Sequence, residues 1–502
     1  MKVSRRTFLQ NTLVAGAAAN RVATGQTAAD HPRTQAAVIL RGDFSDPTVL
    51  RDGDDFYMTH SNCDPYGPGL EIWHSRDLYH WSPVCRALRT PTFTWAADLV
   101  KHKGAYYIYY PMTERNFVIT APSIGGPWSD PVELKTNGID PGHVVGPDGK
   151  RYLHLSEGTV VPLSDDGLSV AGKREKTYAG WPIPEDWNVE AFALESPKLL
   201  FHNGYYYLTS AQGGTSGPST SHMVVSARSR SPLGPWENSP YNPIVHTYSP
   251  REKWCSRGHG SLVEGPRGRW YLIYHAIDRD CRGLGRQCLI EPVEWTRDGW
   301  FRSPYARAGV RFLPGTIPNY RIESDDFSSD RLKLQWAFCG IASERDWGVG
   351  GGLLRVTGKA GTLRAAHVRC AESYYEASAS IACTNPEAEI GFIILYHSEK
   401  PIPAGMTITG GKIVKILRDK NWGPRFDAAG KSYLKIRQMG TDVMTFYGDG
   451  RTWVKYPHGM EVSGFHNNAF SGNSGWKIAA YIRGEGELQI RDFRYKSMET
   501  QP

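Results

Sequence analysis

Gly53-Asp-Asp-Phe-Tyr57-Met58 introduces a pattern that returns four more times along the chain. In each copy a glycine precedes a tyrosine by three or four residues, within a short aromatic and aliphatic run. The other copies are Gly104-Ala-Tyr-Tyr107-Ile108, Gly149-Lys-Arg-Tyr152-Leu153, Gly204-Tyr-Tyr-Tyr207-Leu208 and Gly268-Arg-Trp-Tyr271-Leu272. The tyrosines recur about every 45 to 64 residues, the length of one four-stranded blade. The pattern therefore predicts a five-bladed β-propeller.

Eleven or twelve positions before each repeat tyrosine lies a residue that would begin the innermost strand of its blade. These residues are Asp46, Trp95, Asp140, Glu195 and His259. In a closed propeller the five positions face one another across the central channel. The sequence thus predicts that three carboxyl groups meet there, beside a tryptophan and a histidine.

Glycoside cleavage needs one protonated carboxyl as general acid and one ionised carboxyl as base or nucleophile. Asp46 and Asp140 are each followed by proline, a pair that often just opens a strand. Their equivalent repeat positions, with Glu195 at the same place in a third repeat, favour a catalytic interpretation. Glu190 is the alternative acid, although it lies further from its repeat and is expected in a loop. Carboxyls on opposite sides of a channel favour inversion over retention.

The two ends of the chain differ from the repeats in composition. Residues 1–30 carry Arg5-Arg6 and then an alanine-rich stretch, which predicts a twin-arginine signal peptide and a periplasmic or secreted protein. No later segment holds 18 consecutive apolar residues, so no membrane span is expected after signal removal. The net charge of +7 forms no basic stripe, which argues against a nucleic-acid partner.

An all-β fold of two domains is predicted for the rest of the chain. The propeller is expected at 36–320 and a lectin-like β-sandwich of jelly-roll type at 323–498, where short alternating strands are separated by turn residues. The Pro-rich join Leu313–Pro318 is short, which favours packing of the domains over free tethering.

Eight cysteines in 502 residues do not form a disulfide scaffold, and no Cys-x-x-Cys pair indicates a zinc site. Cys281 with Cys288, or Cys370 with Cys383, could pair in an exported protein. Buried free thiols are the other interpretation.

The chain resembles glycoside hydrolase family 43, most closely its β-xylosidase and α-L-arabinofuranosidase group with a C-terminal β-sandwich. The resemblance covers all five blades in order. Its motifs are Ser45-Asp-Pro-Thr-Val49, Thr94-Trp-Ala-Ala-Asp98, Gly125-Gly-Pro-Trp128, Gly138-Ile-Asp-Pro141, Glu195-Ser-Pro, Gly213-Gly-Thr215, Asn242-Pro-Ile244, Gly258-His-Gly260 and Leu284-Gly-Arg286. Two departures are Lys198, where the family usually has a histidine, and the insertion Gly180–Trp187 before Glu195.

The resemblance implies a role for each candidate residue. Asp46 would be the general base, Asp140 the residue that tunes and orients the acid, and Glu195 the general acid. The substrate-binding residues would be Trp95, His259 and Arg286. No cofactor is expected to be required and no metal ligand is certain, but His259 could face a cation through water. The resemblance leaves a structural calcium ion in the propeller channel open.

The predicted function is that of an exo-acting, inverting glycoside hydrolase. It would release a terminal pentose, first of all β-D-xylose from xylo-oligosaccharides, and its partner would be an oligo- or polysaccharide substrate. One alternative is an α-L-arabinofuranosidase acting on plant polysaccharide side chains. The other is a non-catalytic carbohydrate-binding propeller, against which the presence of all three carboxyls counts.

Overall fold

The computed structural model of the chain describes residues 36–61, 69–88, 93–305, 320–341, 343–396, 401–470 and 472–499. The predicted signal peptide, 1–30, and the Pro-rich join, Leu313–Pro318, lie outside the described residues. Both therefore stay predictions, as does the domain boundary near residue 320. Within the described part of the chain, every helix is too short or too polar to cross a bilayer.

Five antiparallel sheets form the propeller, and the repeat tyrosine lies on the second strand of every blade, as predicted. The first strands of neighbouring blades contact one another around the whole ring. From the innermost strand outward, the blades are Thr48–Asp52, Asp55–Thr59, Glu71–Ser75, Ser82–Arg86 (blade 1); Asp98–His102, Ala105–Met112, Arg115–Ala121, Val132–Asn137 (blade 2); Gly142–Val145, Arg151–Leu155, Thr159–Leu163, Glu175–Lys176 (blade 3); Glu195–His202, Tyr205–Gln212, Met223–Ser229, with Glu237–Asn238 and Val245–His246 both on the third strand (blade 4); and Trp254–Glu264, Trp270–Asp278, Arg286–Trp295, with Ala37–Leu40 and Phe301–Arg302 both on the third strand (blade 5).

Blade 5 is closed by a strand from the other end of the propeller sequence. Ala37 pairs with Ile290, and Val38 with Leu289. Ala37 is fully buried, and it packs in one apolar cluster with Phe56 of blade 1. The N-terminal strand thus joins blade 5 to blade 1, a closure that the repeat pattern did not predict.

Two packed sheets form the C-terminal β-sandwich, which confirms the predicted fold class. Along a strand, apolar side chains that face the other sheet alternate with side chains that face outward. Leu434 and Ile436 are two such inward-facing, buried residues of one strand. In spatial order the strands are Trp336–Cys339, Leu363–Arg369, Lys477–Arg483, Glu389–Tyr396, Ile402–Thr409, Lys412–Leu417, Lys420–Asp427 in one sheet, and Trp347–Gly350, Leu353–Gly358, Gly486–Ser497, Tyr374–Cys383, Tyr433–Met439, Asp442–Gly448, Trp453–Lys455 in the other, with Met460–Glu461 also on Asp442–Gly448. The described helices are single 3₁₀ turns, at Ser156–Gly158, Pro266–Gly268, Arg282–Leu284 and Glu344–Asp346.

The sandwich packs directly on the propeller. Leu284, from the turn that precedes the third strand of blade 5, is buried in the sandwich core beside Trp476. The Trp476 backbone N–H donates to Gly283 O at 2.7 Å, and a Cβ on Gly283 would lie 1.7 Å from the Trp476 ring. Only glycine fits this contact. The two domains are therefore in contact, as the short join suggested.

The seven cysteines within the described residues are free thiols, and most of them are buried: Cys85, Cys255, Cys281, Cys288, Cys339, Cys370 and Cys383. This agrees with the free-thiol interpretation and not with the Cys281–Cys288 or Cys370–Cys383 pairs.

Candidate active site

Three of the five channel positions share an unusual backbone conformation. Asp46, Asp140 and His259 have φ values of 57°, 56° and 59°, in the left-handed region that non-glycine residues seldom adopt. Such strain is typical of positions that aim a side chain at a functional site. In blade 4 the left-handed residue is Ser196, with φ 56°, so Glu195 lies one residue before the equivalent position.

Asp46 is surrounded by groups that favour its ionised form. Arg286 Nη1 lies 3.0 Å from Asp46 Oδ1, and His259 Nδ1 lies 3.2 Å from the same oxygen. His275 Nδ1 is 3.0 Å from it, and the Ser61 hydroxyl donates to Oδ2. Burial alone would raise the pKa of Asp46, but Arg286 and the two imidazoles hold that pKa well below its usual range. Asp46 is thus an ionised carboxylate.

The permanent charge beside Asp46 is that of Arg286. Burial lowers the pKa of His259 to about 3, and it also lowers the pKa of His275. Both imidazoles are therefore neutral near pH 7, and they act on Asp46 as polar neighbours. The guanidinium remains charged at any pH of interest.

Glu195 and Asp140 have the opposite environment. Burial, followed by the charges of Asp140 and Asp46, raises the pKa of Glu195 well above its usual range. Burial and the charge of Asp46 likewise raise the pKa of Asp140, although the Ser196 N–H donates to Asp140 Oδ2 at 3.0 Å. His259 Nδ1 lies 4.0 Å from Asp140 Oδ2 and so stands between the two aspartates. One carboxyl of this pair keeps a proton near neutral pH.

Asp43 fixes the backbone of Arg286 by a hydrogen bond. The backbone N–H of Arg286 donates to Asp43 Oδ1 at 3.1 Å. The preceding residue, Gly285, has φ 79°, and a Cβ on it would lie 2.8 Å from Asp43, so no larger residue fits there. Gly475 of the sandwich packs on the same aspartate, since its Cβ would be 2.9 Å from Asp43 Cβ. The sandwich therefore supports the side of the site that contains Arg286.

Trp95 reaches the site through its chain neighbour. The Ala96 N–H donates to Ser61 Oγ at 2.7 Å, and Ser61 in turn donates to Asp46. The half-buried Trp95 ring makes an edge contact with Phe93, at 5.2 Å between ring centroids. Trp95 thus lies next to the Ala96–Ser61 contact that leads to Asp46, and its sugar-stacking role stays a prediction.

Glu190, the alternative acid, anchors a loop. Its Oε2 accepts hydrogen bonds from the Ser216 N–H at 2.7 Å and the Gly217 N–H at 2.9 Å, and the residue is exposed. The same loop places Thr215 Oγ1 3.3 Å from His275 Nε2. Glu190 therefore shapes the loop beside the site, while Glu195 lies among the buried carboxyls.

Sequence analysis missed three residues of the site, Ser61, His222 and His275, and it named Lys198 only as a departure from the family pattern. His275 does occupy an equivalent repeat position, which the sequence analysis did not use. Ser61 and His275 each lie four residues after their repeat tyrosine, Ser61 just beyond the second strand of blade 1 and His275 within that of blade 5, and both contact Asp46. The repeat register could have found them. His222 stacks on His275 with ring centroids 5.1 Å apart, and nothing in its local sequence signals this.

Among the described residues, two groups of side chains could hold a metal ion: Asp46 with His259 and His275, and Glu195 with His222 and His259. Their donor atoms lie within 4.8 Å of one another in each group. Each group offers two imidazole nitrogens and one carboxylate. Calcium prefers six to eight oxygen ligands, so neither group by itself fits direct coordination of calcium. A channel calcium ion that His259 faces through water stays a prediction.

Comparison with known proteins places this geometry in a family. The family model described as glycosyl hydrolases family 43 matches residues 36–301. The non-reducing end α-L-arabinofuranosidase BoGH43B of Bacteroides ovatus is 30% identical over 359 residues, covering 65% of this chain and 64% of that protein. A putative β-xylosidase of Escherichia coli is 31% identical over 353 residues, 59% of this chain and 62% of that protein. The chain thus spans less than two thirds of each of these relatives.

The likeness to solved structures extends over both domains. A xylan β-1,4-xylosidase from Bacillus halodurans superimposes with a TM-score of 0.80 at 26% identity, covering 91% of this chain and 99% of that one. The propeller and the sandwich therefore occur together in a related structure.

Proposed function

This chain belongs to glycosyl hydrolases family 43, and we propose that it removes single pentose residues from the non-reducing ends of plant oligosaccharides. One observation carries the proposal: Asp46 and Glu195 each have a carboxylate oxygen within 4.8 Å of a His259 ring nitrogen, and their pKa values are displaced in opposite directions. Glycosidases need such a pair, one carboxyl ionised and one protonated at the same pH.

The roles follow from these protonation states. Glu195, protonated near neutral pH, donates its proton to the glycosidic oxygen as the aglycone leaves. Asp46, ionised, accepts a proton from the water that attacks the anomeric carbon from the opposite face. This is an inverting reaction, in which the water oxygen forms the new bond and the leaving group takes the proton of Glu195. Asp140 keeps the pKa of the acid high through its negative charge.

β-D-xylose is the first substrate that we propose, with α-L-arabinofuranose as the second. Two of the compared proteins are named for xylosidase activity and one for α-L-arabinofuranosidase activity at a non-reducing end. The chain offers Arg286 to hydrogen-bond a sugar hydroxyl and Trp95 to stack on a sugar ring. A propeller that only binds carbohydrate has no need of the displaced pKa values, so this alternative is not favoured.

Turnover of two chromogenic substrates tests the proposal. The full chain is incubated with 4-nitrophenyl β-D-xylopyranoside and 4-nitrophenyl α-L-arabinofuranoside, with the D46N protein as matched control, because water activation is needed whatever group leaves. We expect release from the xyloside at least, with little release by the control. NMR of the first product formed from xylobiose should show the α-anomer, as inversion requires. No release from either glycoside above the control would overturn the proposal.

We also propose that export uses the twin-arginine pair Arg5-Arg6, which lies outside the described residues. In a bacterial host with a working twin-arginine pathway, the protein should reach the periplasm, and replacing both arginines by lysine should leave it in the cytoplasm. Periplasmic recovery of the double-lysine variant would contradict this.

A further inference from the structure

Lys198, which stands where the family usually has histidine, is a buried cation in the propeller channel. Its side chain is only 7% exposed. The ammonium donates to Ala97 O at 3.0 Å and to Pro141 O at 2.9 Å, and lies 3.2 Å from Asp98 Oδ1. An ammonium has three protons, and here three oxygens receive them.

The acceptors come from different blades. Lys198 belongs to the first strand of blade 4, Asp98 to that of blade 2, and Pro141 directly precedes that of blade 3. Asp98 also accepts from Thr48 Oγ1 of blade 1 at 3.0 Å and from the His143 N–H of blade 3 at 2.7 Å. Four of the five innermost strands are thus joined through one buried ion pair. Removing one member of such a pair leaves an uncompensated charge.

This network is attached to two of the catalytic carboxyls. Lys198 follows Glu195 by three residues, and Pro141 follows Asp140. The same two segments are joined a second time, since the Ser196 N–H donates to Asp140 Oδ2. They touch so closely that a Cβ on Gly142 would lie 1.6 Å from Pro197 O. The ammonium and the Ser196 amide therefore hold the Asp140 segment against the Glu195 segment from two sides.

We propose that Lys198 is a fixed channel cation: its ammonium takes the oxygen ligands that a metal ion would otherwise need, and it positions Asp140 against Glu195. This inference rests on the proposed function, because Asp140 and Glu195 act as tuning residue and acid there. The oxygens of Ala97, Pro141 and Asp98 are the ligand type that calcium prefers, but Lys198 already occupies them. The positive charge also opposes the rise in the pKa of Asp140 that burial causes.

The first test uses the unaltered protein. If Lys198 supplies the channel cation, EDTA followed by desalting should change neither kcat nor Tm, and 5 mM CaCl₂ should change neither as well. A loss of activity or of Tm on EDTA treatment, restored by calcium, would overturn the proposal whatever any variant does.

The second test removes the ammonium. Lys198→Ala and Lys198→Met should lower kcat by roughly 10–100-fold, because displacing a catalytic group by about 1 Å can cost that much. KM should change much less, since neither variant alters a sugar contact. Propylammonium or calcium ions should raise the Tm of the Lys198→Ala protein and restore part of its kcat, but should leave the larger Lys198→Met side chain unaffected.

A matched control keeps the result specific. Lys101 is also on an innermost strand and pairs with Asp52, but at the surface, so Lys101→Ala should show no loss of kcat and no response to added cations. Wild-type kcat in the Lys198→Met protein would overturn the proposal, as would a Lys198→Ala protein that folds but ignores both cations. If neither variant folds, the EDTA test on the unaltered protein decides. Absence of any glycosidase activity in that protein would instead count against the proposed function, while the Tm measurements would still report on the cation.

Discussion

Asp46 and Glu195 occupy nearly the same place in their respective blades, yet their surroundings give them opposite charges. Asp46 has a guanidinium, a hydroxyl and two neutral imidazoles around its carboxylate. Around Glu195 the strongest influences are burial and two other carboxyls. The repeat therefore determines where a carboxyl stands, and its neighbours determine whether it is a base or an acid.

The largest effect on turnover should follow the loss of the Asp46 carboxylate. Asp46→Asn removes the base that activates water, so kcat should fall by roughly 10²–10⁴-fold. The loss should be the same for xylobiose and for 2,4-dinitrophenyl β-D-xyloside, because water attack is needed whatever leaves. Steady-state rates on both substrates measure it. A loss confined to xylobiose would assign Asp46 to the acid role and reverse the comparison.

The rate loss caused by removing the Glu195 carboxyl should depend on the leaving group of the substrate. Glu195→Gln should lower the rate on xylobiose within the same range of roughly 10²–10⁴-fold. On 2,4-dinitrophenyl β-D-xyloside the loss should be much smaller, because dinitrophenolate leaves without protonation. Glu190→Gln is the matched control, and it should show no such dependence. Equal losses for Glu195→Gln on both substrates would reject Glu195 as the acid.

Removing the charge of Arg286 should move the acidic limb of the pH profile. The pKa of Asp46 is held low in part by this guanidinium, so it should rise in Arg286→Met, and the base should become protonated at higher pH. The acidic limb of kcat/KM is then expected at higher pH, while the alkaline limb stays in place. Arg286→Lys keeps the charge and should shift the limb less. An unmoved acidic limb in Arg286→Met would show that the imidazoles alone keep Asp46 ionised.

Asp140→Asn should move the alkaline limb of the pH profile. Without the negative charge of Asp140 the pKa of Glu195 falls, and the acid loses its proton at lower pH. The alkaline limb of kcat/KM should therefore shift to lower pH and the acidic limb should stay. An alkaline limb in the wild-type position would mean that burial alone sets the pKa of Glu195.

The smallest effect on turnover should follow a change in the sandwich. A methyl group at Gly475 would press on Asp43, and overpacking of this kind costs about 1–3 kcal/mol of stability. Gly475→Ala should lower Tm and raise KM through Arg286, with the alkaline limb unchanged. A shifted alkaline limb would show that the sandwich also acts on the Glu195 side.

The positions of Asp46 and Glu195 could be predicted from the sequence because each blade of the propeller repeats the same short pattern. Each tyrosine and the residue about twelve positions before it belong to one hairpin, so their register follows from counting. Ser61 and His275 obey the same register, four residues after the repeat tyrosine, and the sequence analysis did not find them because a serine and a histidine share no chemical signature. Lys198 was visible only as a departure from the histidine that the family usually has there, since its three acceptors come from other blades. A pKa depends on such distant neighbours, which no local pattern contains.

The strand Ala37–Leu40 has a consequence for how the protein becomes active. It pairs with the third strand of blade 5, so the two partners come from opposite ends of the propeller sequence, and such long-range strand pairing is slow to form. The Asp46–Arg286 ion pair crosses this same seam, from blade 1 to blade 5. A chain that has not yet closed its ring thus lacks the charge that keeps its base ionised. Catalytic activity should therefore appear in a refolding experiment at the rate of ring closure, after the individual blades have formed. A half-folded chain with an open ring should be inactive.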